Sequence, residues 1–185
     1  MTGPIFTLAN QLTLLRMLLI PAFVLLLVYG YSGWALIVFT VAGATDALDG
    51  LAARYSNQST ALGAWLDPMA DKLLLVTTFI VLTLPNIGLI NRIPIWLTVT
   101  IISRDVGIVL TVAIVSLALG PRTFKPTMLG KTATALFMVT CIVVMLFNYL
   151  GHTSWVVDAF IWSALAVTLL SGIDYVFRIA KILNE

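Results

Sequence analysis

Six long apolar runs make up most of the chain, each longer than any ordinary strand and each ended by a cluster of Gly, Pro, Asn or Ser. The breaks read YGYSG, ARYSNQST, LPNIGLINRIP, LGPRTFKP and NYLGHTS. Between them the pattern predicts helices near 8–31, 33–54, 60–84, 93–118, 128–149 and 154–182. At 1.5 Å per residue, runs of about 20 residues match the thickness of a bilayer core. No heptad, no internal repeat and no low-complexity linker interrupts the pattern, so a single membrane domain over 1–185 is expected.

Composition sharpens this into an integral membrane protein. Of the 185 residues, 61% are hydrophobic and 10% charged, and the mean hydropathy is +1.07. A soluble domain carries about 25% charged residues, so this chain cannot cover a water-facing surface. The expected fold class is all-α, with six transmembrane helices. A net charge of +2 gives no reason to expect nucleic acid. The placement of the basic residues sets the orientation. With the N-terminus cytoplasmic, Arg54, Arg122, Lys125, Lys131, Arg178 and Lys181 all lie on the cytoplasmic side, and the other side holds Arg92. Both termini are then cytoplasmic. The start MTGPIFTLANQLTLL lacks a signal peptide's basic region and cleavage site and a transit peptide's Arg/Ser character. The first run is expected to stay in the mature protein, and a bacterial plasma (inner) membrane is the expected location. Cys141, a lone cysteine in an apolar run, reads as a small core residue.

Residues 46–71, DALDGLAARYSNQSTALGAWLDPMAD, break the apolar rule. Asp46 and Asp49 are three apart on the second helix, and Asp67 and Asp71 four apart on the third, so each pair shares a face. A short connection makes these helices antiparallel neighbours, and both pairs can point into one cavity near the cytoplasmic side. A carboxylate at a helix centre in the membrane costs about 2.5–3.5 kcal/mol, and repulsion within a quartet adds to that. Such a cluster needs divalent cations or protons. Oxygen ligands with no His or Cys nearby favour Mg²⁺, Mn²⁺ or Ca²⁺ over zinc. Helix packing by hydrogen bonds is the bland alternative for a single such Asp, and it fits four poorly. Gly50 and Ala53 keep the wall thin for a phosphorylated ligand, and Arg54 offers a cation at the mouth. A cation- or proton-coupled transporter could use the same carboxylates. Against it, they cluster on one side and no paired, interrupted spans suggest inverted repeats. A noncatalytic scaffold leaves the cluster unexplained.

Asp46-x-x-Asp49-Gly50-x-x-Ala53-Arg54, eight residues, then Gly63-x-x-x-Asp67-x-x-x-Asp71 resembles the signature of the CDP-alcohol phosphatidyltransferases at all eight fixed positions. ANQLTLLRMLLIP, ISRD and GK resemble family segments on either side, so the resemblance covers most of the chain. It implies six transmembrane helices around a polar cavity open to the cytoplasm, and a homodimer. The implied reaction moves a phosphatidyl group from CDP-diacylglycerol to an alcohol and releases CMP. Two cations, Mg²⁺ or Mn²⁺, held by Asp46, Asp49, Asp67 and Asp71 would neutralise the pyrophosphate. Asp71 would also serve as general base. Gly50, Ala53, Arg54 and Gly63 would line the cytidine and phosphate pocket. Asn10, Thr13 and Arg16, one face of the first helix, either close that pocket or form an interfacial cap with a snorkelling arginine.

The acceptor is less well marked. Arg104, followed by Asp105, sits inside the fourth helix and is either paired with a carboxylate or aimed at an anionic acceptor. The second reading is preferred, with Lys125 and Lys131 as further acceptor contacts. Phosphatidylglycerophosphate synthases resemble this chain but carry a further arginine where Val112 stands and a lysine where Ala133 stands. Two cations suited to a phosphomonoester are missing. IISRDV with KPT and a following lysine looks more like the CMP-forming cardiolipin synthases, whose acceptor is phosphatidylglycerol. Glycerol 3-phosphate is the alternative. His152 reads as a loop residue, Trp34, Trp96, Trp155 and Trp162 as bilayer anchors, and Trp65 as either cavity wall or lipid contact. Asp174 and Arg178, four apart, read as a helix-end ion pair.

Overall fold

A computed structural model describes the backbone of residues 8–56, 61–119 and 127–183, and side chains over 11–45, 69–115, 117 and 127–180. The described residues form six helices, α1 Leu8–Val28, α2 Ser32–Ser56, α3 Ala61–Thr83, α4 Ile95–Leu119, α5 Met128–Leu150 and α6 Trp155–Leu183. A single 3₁₀ turn, Pro85–Ile87, lies between α3 and α4. No strand occurs among the described residues. Every helix end falls within three residues of the expected spans.

The largest difference, at the end of α1, has a local cause. Gly30 adopts φ 82°, a left-handed conformation that favours glycine. Its N–H donates to Leu27 O at 3.1 Å, and the Tyr31 N–H donates to Leu26 O at 2.8 Å. This paired closure stops the helix before residue 31. Gly151, at φ 70°, ends α5 in the same way, with bonds to Asn148 O and Phe147 O. At the other end of α5 the Thr127 hydroxyl accepts from the Gly130 N–H at 2.9 Å, satisfying one of the helix's orphan donors.

Among the described residues, four helices contain stretches long and apolar enough to cross a membrane: Gln11–Val28, Ile95–Val115, Met128–Leu150 and Trp155–Ala180. The other two, α2 and α3, carry the aspartates, and α2 contributes the shorter apolar run Ser32–Thr45. Large apolar side chains, among them Leu18, Trp34, Val109, Trp155 and Phe177, face outward. In water such a surface would drive association; in a bilayer it meets lipid. Trp34, Trp155, Trp96 and Trp162 are all exposed, the last two with ring centroids 5.4 Å apart.

α1 packs against α2 and α3, α5 against α2 and α6, and α4 against α6. The core runs between them through Phe23 and Phe39, with centroids 5.7 Å apart, and Phe79 edge-on to Phe137 at 5.8 Å. Between α3 and α4 the hydroxyls of Thr83 and Thr98 meet at 2.6 Å, an interhelical bond of the kind that apolar packing alone does not supply in lipid.

The end of the bundle remote from Asp71 is fastened by Asn148. Its side chain accepts from the Asn91 N–H at 2.9 Å and donates to Asn91 O at 2.8 Å, and the Asn91 side chain donates to His152 O at 2.7 Å. His152 therefore contributes its backbone to a clasp between the α3–α4 and α5–α6 connections. Asn148→Ala leaves both backbone groups of Asn91 without this partner. A stability loss of about 1–3 kcal/mol is expected, read as a lower thermal unfolding midpoint in detergent. An unchanged midpoint would show that the clasp contributes nothing.

Candidate active site

Consecutive residues on α3 turn to different neighbours because a helix advances about 100° per residue. Asp71 faces α1, where its Oδ1 accepts a charge-assisted hydrogen bond from Nη1 of Arg16. Lys72 faces α4, where its Nζ donates to Oδ2 of Asp105. Arg16 and Thr13 are both completely buried, so the polar face of α1 is turned into the bundle and not out to the headgroups. The Asp71 side chain keeps 35% exposure, which leaves it reachable by a ligand.

Asp105 ties two cations together. Its other oxygen, Oδ1, accepts from Nη1 of Arg104 at 2.7 Å. Arg104 also donates through Nη2 to the Ser171 hydroxyl of α6. Its Nε is buried and has no hydrogen-bond partner among the described residues. Arg104 lies nine residues into α4, roughly 14 Å along the axis at 1.5 Å per residue. That is close to the middle of the apolar layer, where an uncompensated cation is expensive. The carboxylate beside it makes the position tolerable.

Glycines of two neighbouring helices border the Arg104 side chain at ordinary contact distance. A Cβ added at Gly130 of α5 would sit 3.7 Å from Arg104 Nη2 and 3.1 Å from the capping Thr127 hydroxyl. A Cβ added at Gly172 of α6 would sit 4.0 Å from Arg104 Cγ. A cavity of about 280 Å³ lies between α3, α4, α5 and α6. Lys72, Arg104 and Asp105 form its charged wall, Ile108, Val109 and Val112 its apolar wall, and Thr127, Thr134 and Tyr175 line the remainder. Tyr175 also donates to Ile108 O at 3.2 Å, holding α6 to α4.

The structure therefore brings Arg16 to Asp71 and sets Arg104 in a cavity wall adjoining Lys72. Lys131 is exposed and does not line that cavity. Lys125 lies outside the described residues. Asp46, Asp49, Gly50, Ala53 and Arg54 fall within α2, Gly63 and Asp67 within α3, and Asn10 within α1; their side chains lie outside the described residues, as does that of Trp65. Val112 and Ala133, the two positions without a cation, part company: Val112 faces the cavity and Ala133 is buried in the core. Asp174 and Arg178 form the expected pair, with Nε donating to Oδ2 at 3.2 Å. Lys72, Ser171 and Tyr175 were not legible as site residues. Lys72 had one signal, its place directly after Asp71. Nothing local connects Ser171 or Tyr175 with α4, 67 residues away.

Residues 6–170 match the family model for CDP-alcohol phosphatidyltransferase. The chain belongs to that family. It is 34% identical to a probable phosphatidylglycerophosphate synthase of Mycobacterium tuberculosis, over 94% of this chain and 82% of the relative. It is 30% identical to a CMP-forming cardiolipin synthase of Streptomyces coelicolor, over 99% and 87% respectively. A third relative, a CDP-diacylglycerol–glycerol-3-phosphate 3-phosphatidyltransferase of Pseudomonas fluorescens, is 36% identical over 90% of this chain and 86% of its own. The protein is thus a membrane-embedded phosphatidyltransferase acting on a CDP-alcohol, and the transporter and scaffold readings fall. The family is generally dependent on divalent cations. The donor set fits: four carboxylates on two helices would supply hard oxygen ligands, and the one whose side chain is described, Asp71, is partly open to solvent.

Proposed function

We propose that this phosphatidyltransferase uses phosphatidylglycerol as acceptor and makes cardiolipin. In this reading the primary hydroxyl of phosphatidylglycerol attacks the phosphorus of CDP-diacylglycerol that bears diacylglycerol. The new P–O bond forms as the bond to CMP breaks, and Asp71 takes the hydroxyl proton. Asp46, Asp49, Asp67 and Asp71 would hold two divalent cations, Mg²⁺ or Mn²⁺, which supply neutralisation of the pyrophosphate charge when bound. Gly50, Ala53, Arg54 and Gly63 would take the cytidine and phosphates, with Asn10, Thr13 and Arg16 closing the pocket from α1. Arg104 would meet the acceptor's phosphate inside the cavity, while Lys125 and the exposed Lys131 would attract the anionic acceptor from outside it.

One observation carries the choice of acceptor. The two cations of the cavity wall, Lys72 and Arg104, already share Asp105, and Val112, farther along α4 in the same cavity lining, adds no further cation. A phosphomonoester with nearly two negative charges would meet one net positive charge there; a phosphodiester with one would be matched. The names of two relatives favour glycerol 3-phosphate instead. Purified protein with Mg²⁺ or Mn²⁺, CDP-diacylglycerol and each alcohol in turn separates the two. CMP release is expected to be faster with phosphatidylglycerol. Faster release with glycerol 3-phosphate would overturn the assignment. We further propose that the protein is a single domain over 1–185, acts as a homodimer, and sits in a bacterial inner membrane with both termini cytoplasmic. The bias of basic residues toward the aspartate side supports that orientation.

A further inference from the structure

Asp105 differs from a simple partner for one arginine, because each of its oxygens is occupied by a different cation from a different helix. Oδ1 takes Arg104 of α4 and Oδ2 takes Lys72 of α3. The carboxylate is only 14% exposed and Arg104 10%, so bulk water screens that pair weakly, whereas Lys72 is half exposed and its pair is screened more. The three groups together carry one net positive charge, and they form the charged wall of the 280 Å³ cavity. Arg104 spends Nη1 on Asp105 and Nη2 on Ser171, so neither terminal nitrogen is left wholly to an incoming anion.

We infer that Asp105 is the acceptor-charge filter of this enzyme: by holding Lys72 and Arg104 it sets the preference for a phosphodiester alcohol over a phosphomonoester alcohol. The inference rests on the proposal that this cavity receives the acceptor. Without the carboxylate, two cations would face the cavity undiluted, which suits a dianionic phosphate. With it, binding a dianion means competing with Asp105 for both. Asp105 acts through its two partners and touches no reacting atom, so it is a positioning residue.

A role confined to pinning α3 on α4 predicts something else: removing Asp105 would lower turnover with every acceptor by one factor. The ratio of kcat/KM for glycerol 3-phosphate to that for phosphatidylglycerol distinguishes the two. It is measured on the full-length enzyme with saturating CDP-diacylglycerol and Mg²⁺. Asp105→Asn keeps the shape and removes the charge, and it is expected to raise the ratio by about tenfold or more, given the short separation and weak screening. Asp105→Glu restores the charge and returns the ratio toward that of the unaltered enzyme. Lys72→Gln removes one of the two cations and leaves Asp105 in place, so it moves the ratio the opposite way. If Asp105→Asn does not fold, Asp105→Ser removes the same charge with a smaller side chain and is expected to raise the ratio likewise. A ratio unmoved in the folded variant that removes the Asp105 charge overturns the filter. The unaltered enzyme's own preference is a separate readout. If it favours glycerol 3-phosphate while Asp105→Asn still raises the ratio, the acceptor assignment fails and the filter stands. If it favours phosphatidylglycerol while the ratio never moves, the reverse holds.

Discussion

Asp71→Asn is expected to lower the rate of CMP release by about 10²–10⁴-fold, the range typical of losing a positioned general base, while CDP-diacylglycerol still binds. The substitution is close to isosteric. Its amide oxygen can still accept from Arg16, so the α1–α3 contact at this point survives. What it loses is the capacity to take a proton, together with part of its strength as a cation ligand. Single-turnover measurements at saturating metal and donor separate these effects, since a binding defect disappears under saturation and a chemical one does not. Turnover retained at saturation would remove Asp71 from the base role. Its partial exposure beside a wholly buried Arg16 suits such a group, which must be held in orientation and still be accessible to a hydroxyl.

The helices and the family were legible in the sequence because both are written in local patterns. Gly30 and Gly151 mark helix ends through left-handed turns that involve only their near neighbours. Asp174 and Arg178 could be paired from spacing alone. The eight-position signature likewise spans one helix pair. The links that build the site are of another kind. Arg16 meets Asp71 across 55 residues, Lys72 meets Asp105 across 33, and Arg104 meets Ser171 across 67. Each depends on the rotation of one helix against another, which is set by packing over the whole interface and not by the residues that finally touch. Arg104 illustrates the consequence. The sequence offered a carboxylate pair or an acceptor contact as alternatives, whereas the structure puts the pair in the wall of a cavity. Whether α1 presents Arg16 to lipid or to the bundle could not be read from its own residues either. The burial of Thr13, one turn earlier on the same face, decides for the bundle.

Arg16→Met is expected to lower turnover by about 10²-fold, through misplacement of Asp71 and not through loss of a reacting group. Breaking a buried ion pair by removing one partner commonly costs about 3–5 kcal/mol. Here the remaining carboxylate is 35% exposed and can be rehydrated, so the stability loss should fall at the lower end of that range. Arg16→Lys keeps the charge and loses the planar fork, and it should recover stability better than activity. The discriminating measurement is a double-mutant cycle with Asp71→Asn. If Arg16 acts by orienting Asp71, then in the Asp71→Asn background Arg16→Met has little activity left to remove, and the two effects are strongly non-additive. If Arg16 instead serves the donor phosphates independently of Asp71, the losses add and the affinity for CDP-diacylglycerol falls in both backgrounds. The direct hydrogen bond between the two side chains predicts the first outcome. Additive losses would mean that α1 contributes to donor binding alone, with the contact to Asp71 incidental to catalysis.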